Sequence, residues 1–260
     1  MKSSKAISTV ISTVIIASVS LIIIIIMMNY AIFTLESTVQ QAEFEQTKNL
    51  MKSVAESTVD SILTGTSSIF KFPSRTTISN FITSSGQVTL TMYYSSSQFS
   101  TIVGSSYFKM VCYAGSYVNY ENEVIYGSLE MPRFVSDLYD LPLLYSMWDT
   151  NLGRTTLKLN FLRLAVQEYD EGNIHYIDLI YISPFWESAE EGNLEYLDIK
   201  YKNQNITQLY SDSVVAQQTV TFEFDVTDDA DPPEQYSVQI NHNCILVVRL
   251  IKHIILFYSR

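Results

Sequence analysis

Asp225, Asp228, Asp229, Asp231 and Glu234 crowd carboxylates into one short stretch, and carboxylate oxygens are donors that Ca2+ takes. Their spacing departs from the EF-hand loop and lacks its central glycine, so the expectation is a solvated acidic loop. Trp148, Phe185 and Trp186 offer rings that could stack on a sugar, but such rings fill cores more often. His175, His242 and His253 are the only histidines and lie scattered along the chain. A Ser-His-Asp set can be written from almost any sequence, so their presence alone carries no chemistry. No Gly-rich phosphate loop, paired-cysteine motif or HExxH helix occurs. These residues point to no reaction, no metal and no cofactor, and the expectation is a protein that is not an enzyme.

Two covalent chemistries remain. Cys112 and Cys244 are the only cysteines. In an oxidising compartment they are the candidate disulfide pair, and two separate buried thiols are the alternative. Asn205-Ile206-Thr207 is the one N-glycosylation sequon, inside a polar run at 202–208 that reads as a loop outside the membrane. The formal net charge is −11. Nucleic acid, whose phosphates demand basic patches, is therefore not an expected partner.

The element that must position everything else is the apolar run 6–35, thirty residues without Asp, Glu, Lys or Arg. A bilayer core needs about 20 apolar residues in a helix. In lipid the backbone must satisfy its own hydrogen bonds, which imposes a helix even on Ile, Val and Thr. Lys2 and Lys5 precede the run and Glu36 follows it, which places the N terminus in the cytoplasm and the rest outside. Ile7-Ser8-Thr9-Val10 repeats as Ile11-Ser12-Thr13-Val14. Ser8, Thr9, Ser12, Thr13 and Ala17 thereby gather near one stripe, and small residues so spaced let helices approach closely in an apolar medium.

The run is too long for an ordinary secretory signal and has no small-residue cleavage site after it. Lys5-Ala6-Ile7-Ser8-Thr9-Val10-Ile11 resembles the class III signal peptide of archaeal type IV pilins and archaellins. The resemblance implies cleavage by a prepilin peptidase between Ala6 and Ile7, with Lys5, Ala6 and Ile7 as the processing site. The bacterial relatives carry a Glu where this chain has Ile11, so the archaeal version fits better. The resemblance covers roughly residues 5–62.

Beyond the apolar run, helical periodicity persists. Phe44, Met51, Val54, Ala55, Thr58 and Ile62 recur at threes and fours, with Glu43, Glu45, Lys48, Lys52 and Glu56 mostly between them. One helix, or two abutting ones, is expected over 7–63, with Gly65 as its stop. The pattern then changes to period two. Strands are expected at 87–94, with Val88, Leu90, Met92 and Tyr94 on one side, and at 107–113, 124–126 and 155–169. The last changes phase near Phe161 and Leu162, which calls for a bulge or two pieces. Residues 131–148, bracketed by Pro132 and Pro142, read as an irregular or helical insert. Residues 171–181 are matched at 191–201, each copy an acidic Gly-Asn turn leading into a strand. The repeat predicts two equivalent strands with Ile177 and Leu197 inward and Asp178 and Asp198 towards water. Strands are also expected at 219–226 and 236–240, and the apolar, β-branched run 244–258 reads as a buried terminal strand.

The expected fold is α+β, a long N-terminal helix carrying an antiparallel β-sandwich head. Its parts are a leader at 1–6, a helix at 7–64 divided into 7–35 and 36–64, and an extracellular domain at 65–260. The resemblance implies a structural subunit of an extracellular filament with a role in surface attachment, major or minor. Its partners would be the membrane before assembly, copies of itself or related pilins, prepilin peptidase and the assembly machinery. The alternative from the same residues is a single-pass anchor whose outer domain binds a solute or an envelope partner.

Overall fold

The structure is a computed structural model that describes residues 3–73, 75–84, 86–95, 97–104, 107–118, 122–127, 133–187, 194–227 and 232–259, with backbone only at 3–11, 81, 83, 84 and 108. One helix, α1, runs unbroken over Ser3–Thr64. It stops where expected. Gly65 adopts φ 72° and its N–H reaches the Ser61 carbonyl at 2.9 Å, the left-handed cap that glycine adopts without a Cβ clash.

Strands follow in chain order: β1 (Ser68–Lys71), β2 (Ile78–Ser84), β3 (Val88–Tyr94), β4 (Ser97–Gly104), β5 (Tyr107–Tyr113), β6 (Glu123–Tyr126), β7 (Phe134–Val135) and β8 (Leu143–Asp149). Then come β9 (Arg154–Asn160), β10 (Leu164–Glu171), β11 (Ile174–Trp186), β12 (Tyr196–Val214), β13 (Gln218–Val226), β14 (Glu234–Ile240) and β15 (Cys244–Ser259). They form three sheets, ordered β1-β12-β15-β11-β10-β7, β14-β13-β3-β4 and β2-β5-β9-β8-β6. The second and third are antiparallel throughout. The six-stranded sheet is mixed, because β15 lies parallel to β11 and β7 parallel to β10. An all-antiparallel head is corrected on that point.

Two cores flank the six-stranded sheet. In the first, Phe44, Met51, Val54, Ala55 and Val59 of α1 meet Cys112, Leu144, Leu157 and Leu159 of the five-stranded sheet and Ile180, Ile182, Ile199, Ile255 and Phe257 of the six-stranded one. In the second, Leu90, Met92, Val220, Phe222 and Phe224 of the four-stranded sheet meet Leu164, Ile177, Leu179, Leu246, Val248 and Leu250. The parity on β15 is informative. Cys244, Leu246, Val248 and Leu250 face the second core, whereas Ile251, Ile255 and Phe257 face the first. Successive side chains on a strand point to opposite faces. The covering layers are offset along β15, and each half keeps its own alternation.

Several expectations change. Residues 202–208 are not a loop. They lie inside β12, which pairs with β15 over nearly its whole length and bulges between Tyr201 and Asn203 and between Gln208 and Tyr210. Cross-strand pairing overrides the polar composition there. Within 131–148, the part described holds β7, one 3-10 turn at Leu138–Asp140, and β8 hairpinned to β9. Beyond that 3-10 turn no helix occurs among those described residues, because the segment joins a sheet ladder. The 155–169 run divides into β9 and β10, as its phase change requires. The two repeats are both strands, and Ile177 and Leu197 are both fully buried. They are not equivalent. β15 separates them, β11 parallel and β12 antiparallel to it, and the two residues belong to different cores. The turn of the second copy, 191–193, lies outside the described residues. Asp178 and Asp198 are only 5% and 2% exposed, not turned to water. Asp178 is held by Arg249, whose Nε and Nη2 donate to its two oxygens at 2.7 and 2.6 Å. Asp198 sits between β1 and β15.

Cys112 and Cys244 are buried free thiols in separate cores, so the disulfide alternative gives way to the other one. Cys112 donates to Ser79 Oγ at 3.1 Å, and burial pushes its thiol up to about 12.

The docking of α1 should be separable from its apolar half. Phe44→Ala in the full-length chain should cost about 3–5 kcal/mol, because it opens a cavity in a packed core. Val14→Ala, on the exposed half, should change head stability by less than about 0.5 kcal/mol. Denaturant unfolding in detergent, followed by tryptophan fluorescence, measures both.

Candidate functional site

The feature that sets this chain apart is the exposed half of α1. From Val14 to Leu35 it shows Val, Ile, Leu, Met and Phe side chains on every face. That segment is about 33 Å long, close to the thickness of a bilayer core. By length and composition α1 is long and apolar enough to cross a membrane. Two of its hydroxyls turn back on the helix. Ser18 donates to the Val14 carbonyl at 2.8 Å and Thr34 to the Tyr30 carbonyl at 2.9 Å. Such bonds to the preceding turn let a hydroxyl sit in an apolar medium without an orphaned proton. Ser12, Thr13 and Ala17 lie on this exposed half. Ser8 and Thr9, and the processing residues Lys5, Ala6 and Ile7, fall within α1 but their side chains lie outside the described residues.

A polar latch then fixes the helix to the head. Phe33 makes an edge contact with Tyr117, ring centroids 4.9 Å apart. One turn or two later, Gln40 Oε1 accepts from the Tyr117 N–H at 2.9 Å. The Gln40 side chain occupies the space a Cβ on Gly115 would need, 2.3 Å away, so a larger residue there would have to displace Gln40. Glu43 is buried beside this contact. Its Oε1 accepts from the backbone N–H groups of Arg75, Thr76 and Thr77 at 3.0, 2.9 and 3.2 Å, and Thr76 Oγ1 donates to Oε2. Burial alone raises the Glu43 carboxyl, but the bonds from Thr76, Thr77 and Arg75 together outweigh it and hold the group below its usual value. Farther along, Lys48 pairs with Glu123 at 2.7 Å, and Tyr139 donates to Asp60 at 3.0 Å.

This latch was not visible in the sequence. Glu43 reads as a polar position between apolar ones, and nothing nearby announces its distant partners. The Arg249 cluster was equally hidden. Arg249 stacks over Tyr176 at 4.8 Å while Tyr169 and Tyr176 stack on each other at 5.0 Å. Its hydrogen bonds to Asp178 raise the guanidinium above its ordinary value.

The other candidates are placed as follows. Asn205 is exposed in β12, opposite Lys252 of β15. His175 and His242, far apart in sequence, meet around Asp170, at 2.8 and 3.7 Å from its Oδ1. His253 is buried near Tyr201, and burial lowers its pKa. Among the described residues no group of three or more His, Cys, Asp or Glu is placed to hold a metal. Asp228, Asp229 and Asp231 lie outside those residues. Asp225 ends on β13, and Glu234 accepts from the Arg133 N–H at 2.6 Å. Trp148 stands on β8, in a different sheet from Phe185 and Trp186 on β11, so the three do not line one strand surface. No family model matches the chain, and neither a curated protein nor a solved structure matches it.

The depressed Glu43 carboxyl gives a signed pH dependence. Its contribution is present above the unfolded value near 4.5 and is lost as pH falls through the lower folded value. Glu43→Gln should destabilise the head by about 2–3 kcal/mol at pH 7, since hydrogen bonds to a charged group are lost or weakened. The gap to wild type should close steadily below pH 4.5. Unfolding midpoints of both proteins from pH 7 to pH 3 test this, and a constant gap would mean that the charge on Glu43 does not matter.

Proposed function

We propose that the chain is a structural subunit, major or minor, of an extracellular filament of the archaeal type IV pilus kind, serving in surface attachment. The observation that carries this reading is α1 itself. One helix without a break has a first half apolar on all faces and undocked short of the Phe33–Tyr117 contact, and a second half built into the head. A subunit of this design inserts in the membrane first. It then exchanges lipid for the helices of its neighbours. The Lys5-Ala6-Ile7 junction supports cleavage by a prepilin peptidase, which would free the helix to leave the membrane. Ser12, Thr13 and Ala17, with Ser8 and Thr9, supply the small residues that close helix packing requires. In this reading the N terminus starts in the cytoplasm, the head is outside as a β-sandwich domain, and Asn205 is available for glycosylation. The partners are copies of this chain or related subunits, the peptidase and the assembly machinery.

The mature N terminus decides the first step. Mass spectrometry should find Ile7 as the first residue, and Lys5→Glu should leave the chain uncut. A mature chain that begins at Met1, or after Leu35, removes the filament reading. Assembly is tested by Thr13→Phe with Ala17→Phe. Phe is at least as apolar as the residues it replaces, so insertion should survive. Filaments on the cell surface should disappear while the processed subunit stays in the membrane fraction. Normal filaments containing the double variant would show that this stripe is not the packing surface. A wild-type chain found only in the membrane fraction would favour a single-pass anchor with a binding head.

A further inference from the structure

One rim of the four-stranded sheet carries a strand guarded only at its end, where Lys252 Nζ donates to the Val103 carbonyl at 2.9 Å, and bare over Gln98 to Ile102. Among the described residues β4 pairs with β3 and with no strand on its other side. Its sequence, Ser97-Gln98-Phe99-Ser100-Thr101-Ile102-Val103-Gly104, has no charge and no proline. Exposed rims usually carry such guards, because bare N–H and C=O groups template the addition of another strand. The other rims are guarded, covered or short. β1 ends on Lys71, β6 begins on Glu123, and β14 begins on Glu234 behind Pro232 and Pro233. β7 has two residues, and the Ser79 carbonyl of β2 accepts from the Leu194 N–H at 2.8 Å. β4 also displays apolar side chains, with Phe99 41% and Ile102 56% exposed.

The register shows which backbone groups point outward. Tyr94 and Ser97 are the closing pair of the β3–β4 hairpin, with residues 95–96 between them. A closing pair bonds across the hairpin, and the pattern alternates from there. Phe99 and Thr101 therefore bond towards β3, while Gln98, Ser100 and Ile102 direct their N–H and C=O groups to the open side. These three are placed symmetrically about Ser100.

We propose that β4 pairs antiparallel with β4 of a second copy of this chain, across a twofold axis at Ser100. Gln98 then lies opposite Ile102 of the second copy, and Ser100 opposite its own equivalent. About six backbone hydrogen bonds close the rim. Phe99 is set beside Thr101 of the second copy on the core-facing side, which covers an exposed ring. Charge favours the same place. With a net charge of −11, two copies repel on the whole, and the uncharged β4 adds no like-charge pair where they meet. A contact that is its own complement closes after two copies.

A twofold relating two antiparallel edges stands perpendicular to the sheet. The pairing proposed is between copies carried on facing membranes or filaments, which rests on α1 being the membrane or filament-core helix. One strand edge buries less than the roughly 1,200 Å² of a stable interface, so the contact needs many copies displayed together.

The test uses the full-length chain reconstituted in phospholipid vesicles. Vesicles carrying wild type should cluster, and Ser100→Lys or Gln98→Lys should abolish clustering with an unchanged unfolding midpoint. Ser100→Cys, treated with a short bismaleimide, should give a covalent dimer that wild type, with both cysteines buried, does not give. Three results overturn the proposal: no dimer from Ser100→Cys, clustering that survives both lysine variants, or cross-linking only when Ser100→Cys is mixed with Ser237→Cys on β14. The last would mean a head-to-tail contact instead. Clustering of wild-type vesicles with vesicles that lack the chain would identify a lipid surface as the occupant and overturn it as well. None of these readouts needs a filament, so the proposal and the filament reading can fail separately.

Discussion

The rest of the head depends on the parallel pairing of β11 with β15, which runs without a shift from Ile174 opposite Ile245 to Trp186 opposite Phe257. These two strands sit at the centre of the six-stranded sheet and supply side chains to both cores. Strands buried on both faces read as continuous apolar runs rather than alternating ones. That explains the composition of 244–258, which looks out of place beside alternating strands such as β13. It also ties the two ends of the chain together. Phe44 and Met51 near the start share a core with Ile255 and Phe257 at the end, so α1 has no complete surface to dock on until β15 is in place. Contacts between such distant residues make for slow folding, because the loop-closure entropy comes before the packing gain.

What could be read from the sequence was what is local. The helix, its glycine stop, the alternating strands and the break at Phe161 and Leu162 depend on periodicity over a few residues, and the structure has them. The misreadings share one cause. Residues 202–208 are polar enough for a loop, yet β15 supplies a partner for most of them and they become strand. Asp178 alternates as a solvent-facing residue would, yet Arg249, seventy-one positions on, buries it. Glu43 occupies a position that an isolated amphipathic helix would turn outward, and three backbone N–H groups from 75–77 turn it inward. In the two buried cases, Asp178 and Glu43, a charge that would cost free energy when buried alone is matched by a partner the local pattern cannot reveal. Even the repeat, legible as two strands, misled about surroundings. Sequence likeness fixed the conformation of each copy but not which layer would cover it.

The docked and undocked halves of α1 obey different solvents, and the boundary between them is where the latch sits. Before it, every face is apolar and the Ser18 and Thr34 hydroxyls turn back on their own helix. After it, one face is core and the other water. An amphipathic helix alone would be free to roll or slide on its apolar stripe by a turn, since threes and fours recur along it. Gln40 against Gly115 and Glu43 inside the 75–77 backbone remove that freedom, because each fits one position along the helix and one rotation about it.

That restriction bears on how the head is held. Residues 3–64 form one helix with no Gly or Pro in it, so no hinge separates the apolar half from the latch. Sharp bends in helices arise at proline, at glycine or at inserted groups, and without them only gentle curvature remains. The direction of the apolar half therefore sets the direction of the head. Whatever surrounds residues 14–35, lipid or other helices, presents the sheets and the bare rim of β4 at a fixed attitude rather than on a flexible stalk. A tethered domain on a flexible linker would sample contacts by diffusion within its reach. A rigidly mounted head instead offers the same surface in every copy, which is the condition under which a weak contact repeated many times adds up to a strong one.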